Sequence, residues 1–153
     1  MEYIAGEKDP ANKCFLCIEP ASDETSLVLA RKGAAFVVMN RYPYANGHVM
    51  VVPVRHVGRI EELSDEELLE MMGLVRTLSS ALKETVHAEG LNIGINMGKA
   101  AGAGLEEHLH IHMVPRWVGD TNFMPVLGET KVISEHLLET YRKLKEKVHA
   151  KLL

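Results

Sequence analysis

Residues 108 to 114, His-Leu-His-Ile-His-Met-Val, alternate between polar and apolar with a period of two. This is the pattern of a β-strand that buries one face. Since successive side chains point to opposite faces of a strand, Leu109, Ile111 and Met113 should enter the core, and the three imidazoles should line the other face. Pro115 lacks an N–H, and we expect the strand to end there. The chain must therefore build a sheet that is covered on one side and displays histidine on the other.

Composition excludes several classes of protein. The 153 residues are 46% hydrophobic and 25% charged, which is typical of one soluble globular domain. No apolar run reaches the ~20 residues of a membrane-spanning helix, and the first ten residues lack the apolar stretch of a secretory signal. A net charge of -4 argues against a nucleic-acid partner. Only two cysteines are present, which excludes a disulfide framework and favours a cytoplasmic location.

Turn residues divide the rest of the chain into short strands and two helices. Apolar runs predict strands, besides 108–114, over the ranges 26–30, 34–39, 48–53 and 91–97. The first two strands should join as a hairpin at 31–33, where Gly33 permits a turn. Three strands, a long helix, two strands and a terminal helix indicate an α+β fold with a mainly antiparallel sheet.

The long helix has a clear start. Ser64 can act as its N-cap, and Glu67 three residues later completes a capping box. The helix should run from about 65 to about 88 on one apolar stripe, made by Leu68, Met71, Met72, Val75, Leu78, Leu82 and Val86. A last helix should start near Ser134, and its inner face should carry Leu137, Leu138, Tyr141, Leu144 and Val148.

Three explanations compete for the histidine face. The first is a half-exposed strand that happens to hold histidine, although a polar face without Lys, Glu, Thr or Ser would be unusual. The second is a metal site, because two histidines at i and i+2 can bind one ion. The third is nucleophilic catalysis, since a neutral imidazole has a lone pair near pH 7 and can form a phosphoramidate. The flanking imidazoles could then hold its tautomer and donate to phosphoryl oxygens.

The two cysteines form a pair. Cys14 and Cys17 have the spacing that lets two sulfurs reach one tetrahedral ion. They supply half of a zinc site, and His56 and His108 are the candidates to complete it. The alternatives are a redox pair, for which the thioredoxin-like context is missing, and two inert buried thiols.

A glycine-rich stretch, Gly98 to Gly104, precedes the histidine strand. It is not a P-loop, because Gly-Lys is followed by Ala rather than Ser or Thr. Its small residues would let backbone N–H groups approach a polyphosphate, and a plain flexible connection is the alternative. Glu106 and Glu107, which follow, are expected to be solvated rather than catalytic.

These motifs resemble a known family. The order His-apolar-His-apolar-His-apolar-apolar matches the histidine triad superfamily, and Asn40 to Pro43 with Gly47 to Pro53 resembles its fragile-histidine-triad branch. Pro115 to Trp117 and Gly119 to Phe123 are most similar to the bacterial diadenosine tetraphosphate phosphorylases of that superfamily. The likeness covers residues 14 to 145.

The resemblance implies a HIT-like fold: an antiparallel sheet with a long central helix and a C-terminal helix. It implies one domain over 1–153, with a loop segment at 1–20, a core over about 21–116 and a specificity segment with a helix at 117–153. It also implies a homodimer, in which the long helix and the neighbouring strand form much of the contact.

The resemblance also implies roles for the polar residues. His110 matches the nucleophile, which attacks the α-phosphorus of a nucleotide and forms a nucleotidyl-histidine. His112 and His48 match positions that surround the phosphate. Asn40 matches a position near the sugar, with a plain turn residue as the alternative, and Asn96 and Gly104 align as phosphate neighbours.

The remaining implications concern metals. In zinc-bearing members, the positions of Cys14, Cys17, His56 and His108 hold a structural zinc ion. Magnesium is expected only with the polyphosphate substrate, since the sequence shows no acidic cage for it.

The predicted function is cleavage of dinucleoside polyphosphates, with phosphate or water as the acceptor. Ala103 and Gly104 stand where the fragile-histidine-triad branch carries Gln, which favours phosphate. One alternative is a purine nucleoside phosphoramidase of the histidine-triad nucleotide-binding type, although no Ser lies between Gly98 and His112. The others are a nucleotide-binding signalling module with little turnover and a non-enzymatic zinc protein.

Overall fold

The computed structural model describes residues 14–120 and 135–153. Its regular elements are β1 (Val28–Lys32), β2 (Ala35–Met39), β3 (Val49–Pro53), α1 (Asp65–Val86), β4 (Gly90–Ile95), β5 (Ile111–Arg116) and α2 (Leu137–Leu152). The strands form one sheet in the order β1-β2-β3-β5-β4, and each neighbouring pair is antiparallel. The predicted α+β fold with an antiparallel sheet is confirmed. Neither helix in the described ranges is both long enough and apolar enough to cross a bilayer.

The two faces of the sheet are covered differently. On one face, α1 and α2 pack over the main core, which includes Val37, Val51 and Leu78. On the other face lies a smaller cluster, which includes Val38 and Leu16. Because adjacent strand residues such as Val37 and Val38 belong to different clusters, the clusters occupy opposite faces. Neither α1 nor α2 packs on this second face, and the candidate site lies there.

The start of α1 is as predicted. The Ser64 side chain accepts from the Glu67 N–H at 3.2 Å, and the Glu67 carboxylate accepts from the Ser64 N–H at 2.8 Å. Glu67 also pairs with Arg55, whose hydrogen bonds are the main cause that lowers the pKa of Glu67 to about 2. The helix ends at Val86, because His87 adopts a left-handed φ of 53°.

Two apolar assignments on the helices are wrong. Met72 is 55% exposed and Leu138 is 45% exposed, so neither lies on the inner face. Both occupy positions next to the true stripe, where a helical wheel alone does not separate core from edge. Ser134 lies outside the described residues, and α2 begins at Leu137 after His136 as the N-cap.

The strand bounds also differ from the expected ones. β1 runs from Val28 to Lys32 instead of 26–30, β3 begins one residue after His48, and β4 spans 90–95 instead of 91–97. β5 begins only at Ile111, because the Leu109 N–H bonds to the Val57 carbonyl at 2.7 Å instead of to a strand.

Pro115 does not end β5. It pairs with Leu91 of β4, and β5 continues to Arg116. Pairing of β5 with β3 already stops at Met113, so the missing N–H of Pro115 costs β3 no hydrogen bond. The expected alternation holds, since Leu109, Ile111 and Met113 all belong to the core under the helices.

Candidate active site

A cavity of 860 Å³ opens on the face of the sheet opposite α1 and α2. Its walls come from residues 15–18, the region 38–44, the loop 102–105, and His110 with His112. Of the residues predicted for substrate binding, Asn40, Gly104 and His112 line this cavity. Asn96, after the end of β4, is not part of its lining.

His110 is held in one tautomer by the backbone. Its Nδ1 lies 2.8 Å from the carbonyl oxygen of His108, which can only accept, so Nδ1 carries the hydrogen. The unprotonated nitrogen is therefore Nε2. The ring is only 7% exposed, and burial lowers its pKa, which keeps the imidazole neutral near pH 7. A neutral ring with a free lone pair is a nucleophile.

A second chain of hydrogen bonds orients His112. The backbone N–H of Tyr44 donates to His48 Nδ1 at 3.0 Å, so a neutral His48 carries its hydrogen on Nε2. That Nε2 lies 3.0 Å from His112 Nδ1, which then accepts. His112 is left with its hydrogen on Nε2, as the donor that it can offer to a ligand in the cavity.

His48 itself is fully buried behind His112 and does not line the cavity. The ring of Tyr44 stacks on it with centroids 4.9 Å apart and planes 26° apart. This tyrosine was not predicted as a site residue. Its signal in the sequence is an aromatic residue four positions before the histidine, within the turn.

Asn40 serves the turn and also reaches the cavity. Its Oδ1 accepts from the Tyr42 N–H at 2.9 Å, as in an Asx turn, and its side chain lines the cavity. The turn interpretation is confirmed, and the position near a sugar stays a prediction. Since Oδ1 accepts from Tyr42, the amide N–H groups of Nδ2 are the donors that Asn40 can offer to a ligand. Arg41, its neighbour, also lines the cavity and was missed.

The glycine-rich loop uses several amides internally. Gly98 and Gly102 have φ of 75° and 81°, which explains glycine there. The N–H groups of Ala101 and Ala103 bond to the Gly98 carbonyl, and that of Gly102 bonds to the Lys99 carbonyl. Fewer N–H groups of this loop are therefore available to a polyphosphate than expected. Gly104 follows these internally bonded residues and lines the cavity.

The four predicted metal ligands lie together beside the cavity. The ligand atoms of Cys14, Cys17, His56 and His108 are all within 4.8 Å of one another. His108 Nδ1 is 3.4 Å from Cys14 Sγ and 3.7 Å from Cys17 Sγ, and His56 Nδ1 is 3.3 Å from Cys17 Sγ. Sulfur and nitrogen ligands of one tetrahedral zinc ion are about 3.6 Å apart, from the usual bond lengths. The set therefore fits zinc.

The tautomer of His108 also fits a ligand. Its Nε2 lies 2.9 Å from the Pro53 carbonyl and so carries the hydrogen, which leaves the Nδ1 lone pair facing both sulfurs. Burial lowers the pKa of His108 and raises that of the Cys14 thiol. A bound cation would offset the cost of a buried thiolate. With its ring in this cluster, His108 is not one of the imidazoles that line the cavity.

Comparisons with known proteins agree with this geometry. A family model described as the HIT domain matches residues 9–118. The chain is 41% identical over 152 residues to a protein of Mycobacterium tuberculosis named AP-4-A phosphorylase, a match that covers 94% of this chain and 78% of that protein. It is 37% identical over 82 residues to a Dictyostelium discoideum protein named bis(5'-adenosyl)-triphosphatase, covering 54% of each.

A solved structure is also similar. The crystal structure of a zinc-bound histidine triad family protein from Mycobacterium smegmatis superposes with a TM-score of 0.73 at 25% identity, covering 90% of this chain and 94% of that one. The family match spans the sheet and α1. It also includes the histidines at the cavity and those of the metal cluster. The chain therefore belongs to the HIT domain family.

Proposed function

We propose that this chain is a nucleotidyltransferase that cleaves dinucleoside polyphosphates, diadenosine tetraphosphate first among them, at the α-phosphate. One observation carries the proposal: in one cavity, His110 has its lone pair on Nε2 and His112 has its hydrogen on Nε2. The 41% identity to a protein named AP-4-A phosphorylase supports the choice of substrate.

In the first step, His110 Nε2 attacks the α-phosphorus. An N–P bond forms, and the bond from that phosphorus to its bridging oxygen breaks, so the leaving nucleotide keeps the electron pair. The ring gains positive charge, which the hydrogen bond from its Nδ1–H to the His108 carbonyl stabilises. The Nε2–H of His112 donates to a phosphoryl oxygen, where negative charge develops.

In the second step, phosphate or water attacks the same phosphorus and the N–P bond breaks. Phosphate gives a nucleoside diphosphate, and water gives a nucleoside monophosphate and releases one proton to the solvent. His110 leaves with its lone pair restored on Nε2. Nothing in this step requires another protein nucleophile, so the acceptor decides whether the enzyme is a phosphorylase or a hydrolase.

The cavity offers different groups to the rest of the nucleotide. Leu16, Ile18 and Val38 form an apolar wall suited to a base. The Nδ2 amide N–H of Asn40 can donate to a sugar hydroxyl. Arg41 supplies the cationic side chain of the lining.

We also propose that zinc binds Cys14, Cys17, His56 and His108 as a structural ion, which ties the N-terminal segment to the sheet. In the described part of the chain this is the one group of three or more ligand residues with converging atoms. Magnesium would come with the polyphosphate substrate, whose negative charge it offsets.

A homodimer and a cytoplasmic location complete the proposal. β4 is an edge strand, and Ile93 and Met97 at this edge are each 47% exposed. On α1, Leu69 is 75% and Met72 is 55% exposed. An open edge with apolar side chains supports pairing with a second copy. Two free cysteines suit a reducing compartment.

The experiment compares His110→Asn with His87→Asn, which changes an exposed imidazole outside the cavity. Diadenosine tetraphosphate turnover should be lost in the first variant and kept in the second, and a nucleotidyl adduct should be trapped on His110 by mass spectrometry at neutral pH. Turnover by His110→Asn would refute the nucleophile.

Added phosphate separates the alternatives. Products that require phosphate indicate phosphorolysis, and products without it indicate hydrolysis. Cleavage of adenosine phosphoramidate alone would favour the phosphoramidase, and binding without products would favour the signalling module. Loss of the fold in His110→Asn would favour a non-enzymatic zinc protein.

A further inference from the structure

The segment of residues 14–18, called here the cysteine segment, contributes to two sites at once. Cys14 and Cys17 belong to the metal cluster. Phe15, Leu16 and Ile18 line the cavity. Three side chains between and beside the two sulfurs therefore form part of the cavity wall, and any shift of the sulfurs moves that wall.

The other contacts of the cysteine segment are mostly apolar. It forms no strand or helix; Leu16, which is 2% exposed, belongs to the apolar cluster on the open face, and the partly buried Cys14 and Ile18 pack against that cluster. The Ile18 carbonyl accepts from Arg31 at 2.7 Å. Phe15 is 67% exposed, and it lies between the two cysteines of the cluster, directly after Cys14 and two positions before Cys17. Without an ion, the contacts between the sulfurs and the imidazoles are thiol–imidazole contacts, and these are weak because a thiol is a weak donor.

His108 is a second connection between the metal cluster and the cavity. Its ring faces the two sulfurs, while its carbonyl oxygen accepts from His110 Nδ1 at 2.8 Å. One residue thus touches the cluster with its side chain and orients the imidazole of His110 with its backbone. The cluster and the cavity share both a wall and this residue.

We infer that metal binding at the cluster and nucleotide binding in the cavity are coupled, with the cysteine segment as the shared element. Zinc fixes Phe15 and Leu16 as a wall, so a nucleotide binds more tightly to the zinc-loaded chain. By linkage, the nucleotide raises the affinity for zinc by the same factor. This inference rests on the proposed function, since it takes a nucleotide as the occupant of the cavity.

The test uses the full chain with adenosine 5'-monophosphate and Zn²⁺ as probes. Nucleotide affinity is measured by calorimetry on zinc-loaded and chelator-stripped protein. Zinc affinity is measured by competition with a chromogenic chelator, with and without saturating nucleotide. We expect both factors to be equal and to lie in the roughly five- to 150-fold range of coupled sites.

Variants of Phe15 locate the coupling. Phe15→Ala keeps all four metal ligands but removes the ring from the wall. It should weaken nucleotide binding to the zinc-loaded chain and shrink the coupling factor, while zinc affinity without nucleotide is unchanged. Phe15→Leu should give a nucleotide affinity and a coupling factor between those of the parent chain and Phe15→Ala. The control, His87→Asn, changes an exposed side chain that lies outside both sites, and should alter neither affinity.

Three outcomes would overturn the inference. The first is equal nucleotide affinity in the loaded and the stripped chain. The second is a coupling factor that Phe15→Ala leaves intact. The third is loss of the helical circular dichroism signal on stripping, because zinc would then support the whole fold rather than the wall. A zinc-loaded chain that binds no nucleotide would instead refute the proposed function, and this inference with it.

Discussion

His48 Nε2 lies 3.0 Å from His112 Nδ1, although 64 residues separate the two along the chain. The pair forms across β3 and β5, where Met50 and His112 stand opposite each other. His48 is fixed from behind by the backbone N–H of Tyr44. The two rings therefore act as one hydrogen-bonded unit, of which only His112 lines the cavity.

This unit predicts non-additive effects on catalysis. His48→Phe and His112→Phe, which leave no side-chain donor, should each lower kcat on diadenosine tetraphosphate, by about 10²- to 10⁴-fold for a lost proton donor. The double variant should be no slower than the slower single variant, because either change removes the same donor. Steady-state kinetics of the three variants provide the check. Factors that simply multiply would contradict the unit, and His87→Asn serves as the control.

The free energy of unfolding should fall as the pH is lowered from about 6.5 to about 4. Burial, and next to it the nearby His110, lower the pKa of His112 from 6.5 to about 4. In this window the unfolded chain binds more protons than the folded one, so stability rises with pH and is fully present above 6.5.

Urea unfolding at about pH 7.5 and about pH 5 measures the slope. His112→Asn should flatten it, though not abolish it, because burial also lowers the pKa of His110. Below 4.5, Glu67 adds a loss of the same sign, since its pKa is lowered to about 2. An unchanged slope in His112→Asn would show that His112 does not carry the effect.

Gly58→Ala should weaken zinc binding. A Cβ at Gly58 would lie 2.5 Å from the Glu106 carbonyl oxygen, so the backbone that leads to His108 must shift. Gly73→Ala is the matched control, because a Cβ there meets nothing within 4 Å. In the middle of α1, that change should add about 0.5–1 kcal/mol of stability and leave zinc affinity as it is. Equal zinc affinities in both variants would contradict the prediction.

Ile93→Lys should convert the proposed homodimer into a monomer. Ile93 is 47% exposed on the edge strand β4, and a lysine on an edge strand blocks pairing with another chain. Leu138→Lys is the control, at 45% exposure on α2. Sedimentation equilibrium should show a dimer for the parent chain and the control only. A dimeric Ile93→Lys variant would place the interface elsewhere.

The sequence predicted features that depend on local periodicity. The alternation at 108–114 assigned Leu109, Ile111 and Met113 to the core, and the capping box located the start of α1 at Ser64. Both follow from neighbouring residues alone, because the period of side-chain directions is a property of the strand or helix itself.

Features that depend on packing were missed or misplaced. Met72 and Leu138 are apolar residues at the edges of their helical stripes, and only neighbouring elements decide that they face outward. Tyr44 and Phe15 carry no motif of their own, and their roles follow from the turn and the segment that place them beside the histidines. Asn96 was aligned as a phosphate neighbour; it follows the end of β4 and is not part of the cavity lining, so its role stays a prediction.

By itself, the sequence determined which side chains could act, since imidazoles with a period of two and sulfurs three residues apart follow from the chain. Only the tertiary structure decided which nitrogen of each ring carries the hydrogen. For His110 it is the His108 carbonyl that decides, for His48 the Tyr44 N–H, and for His108 the Pro53 carbonyl. The reason is physical: a neutral imidazole has two equivalent tautomers until a fixed donor or acceptor, brought near by folding, selects one.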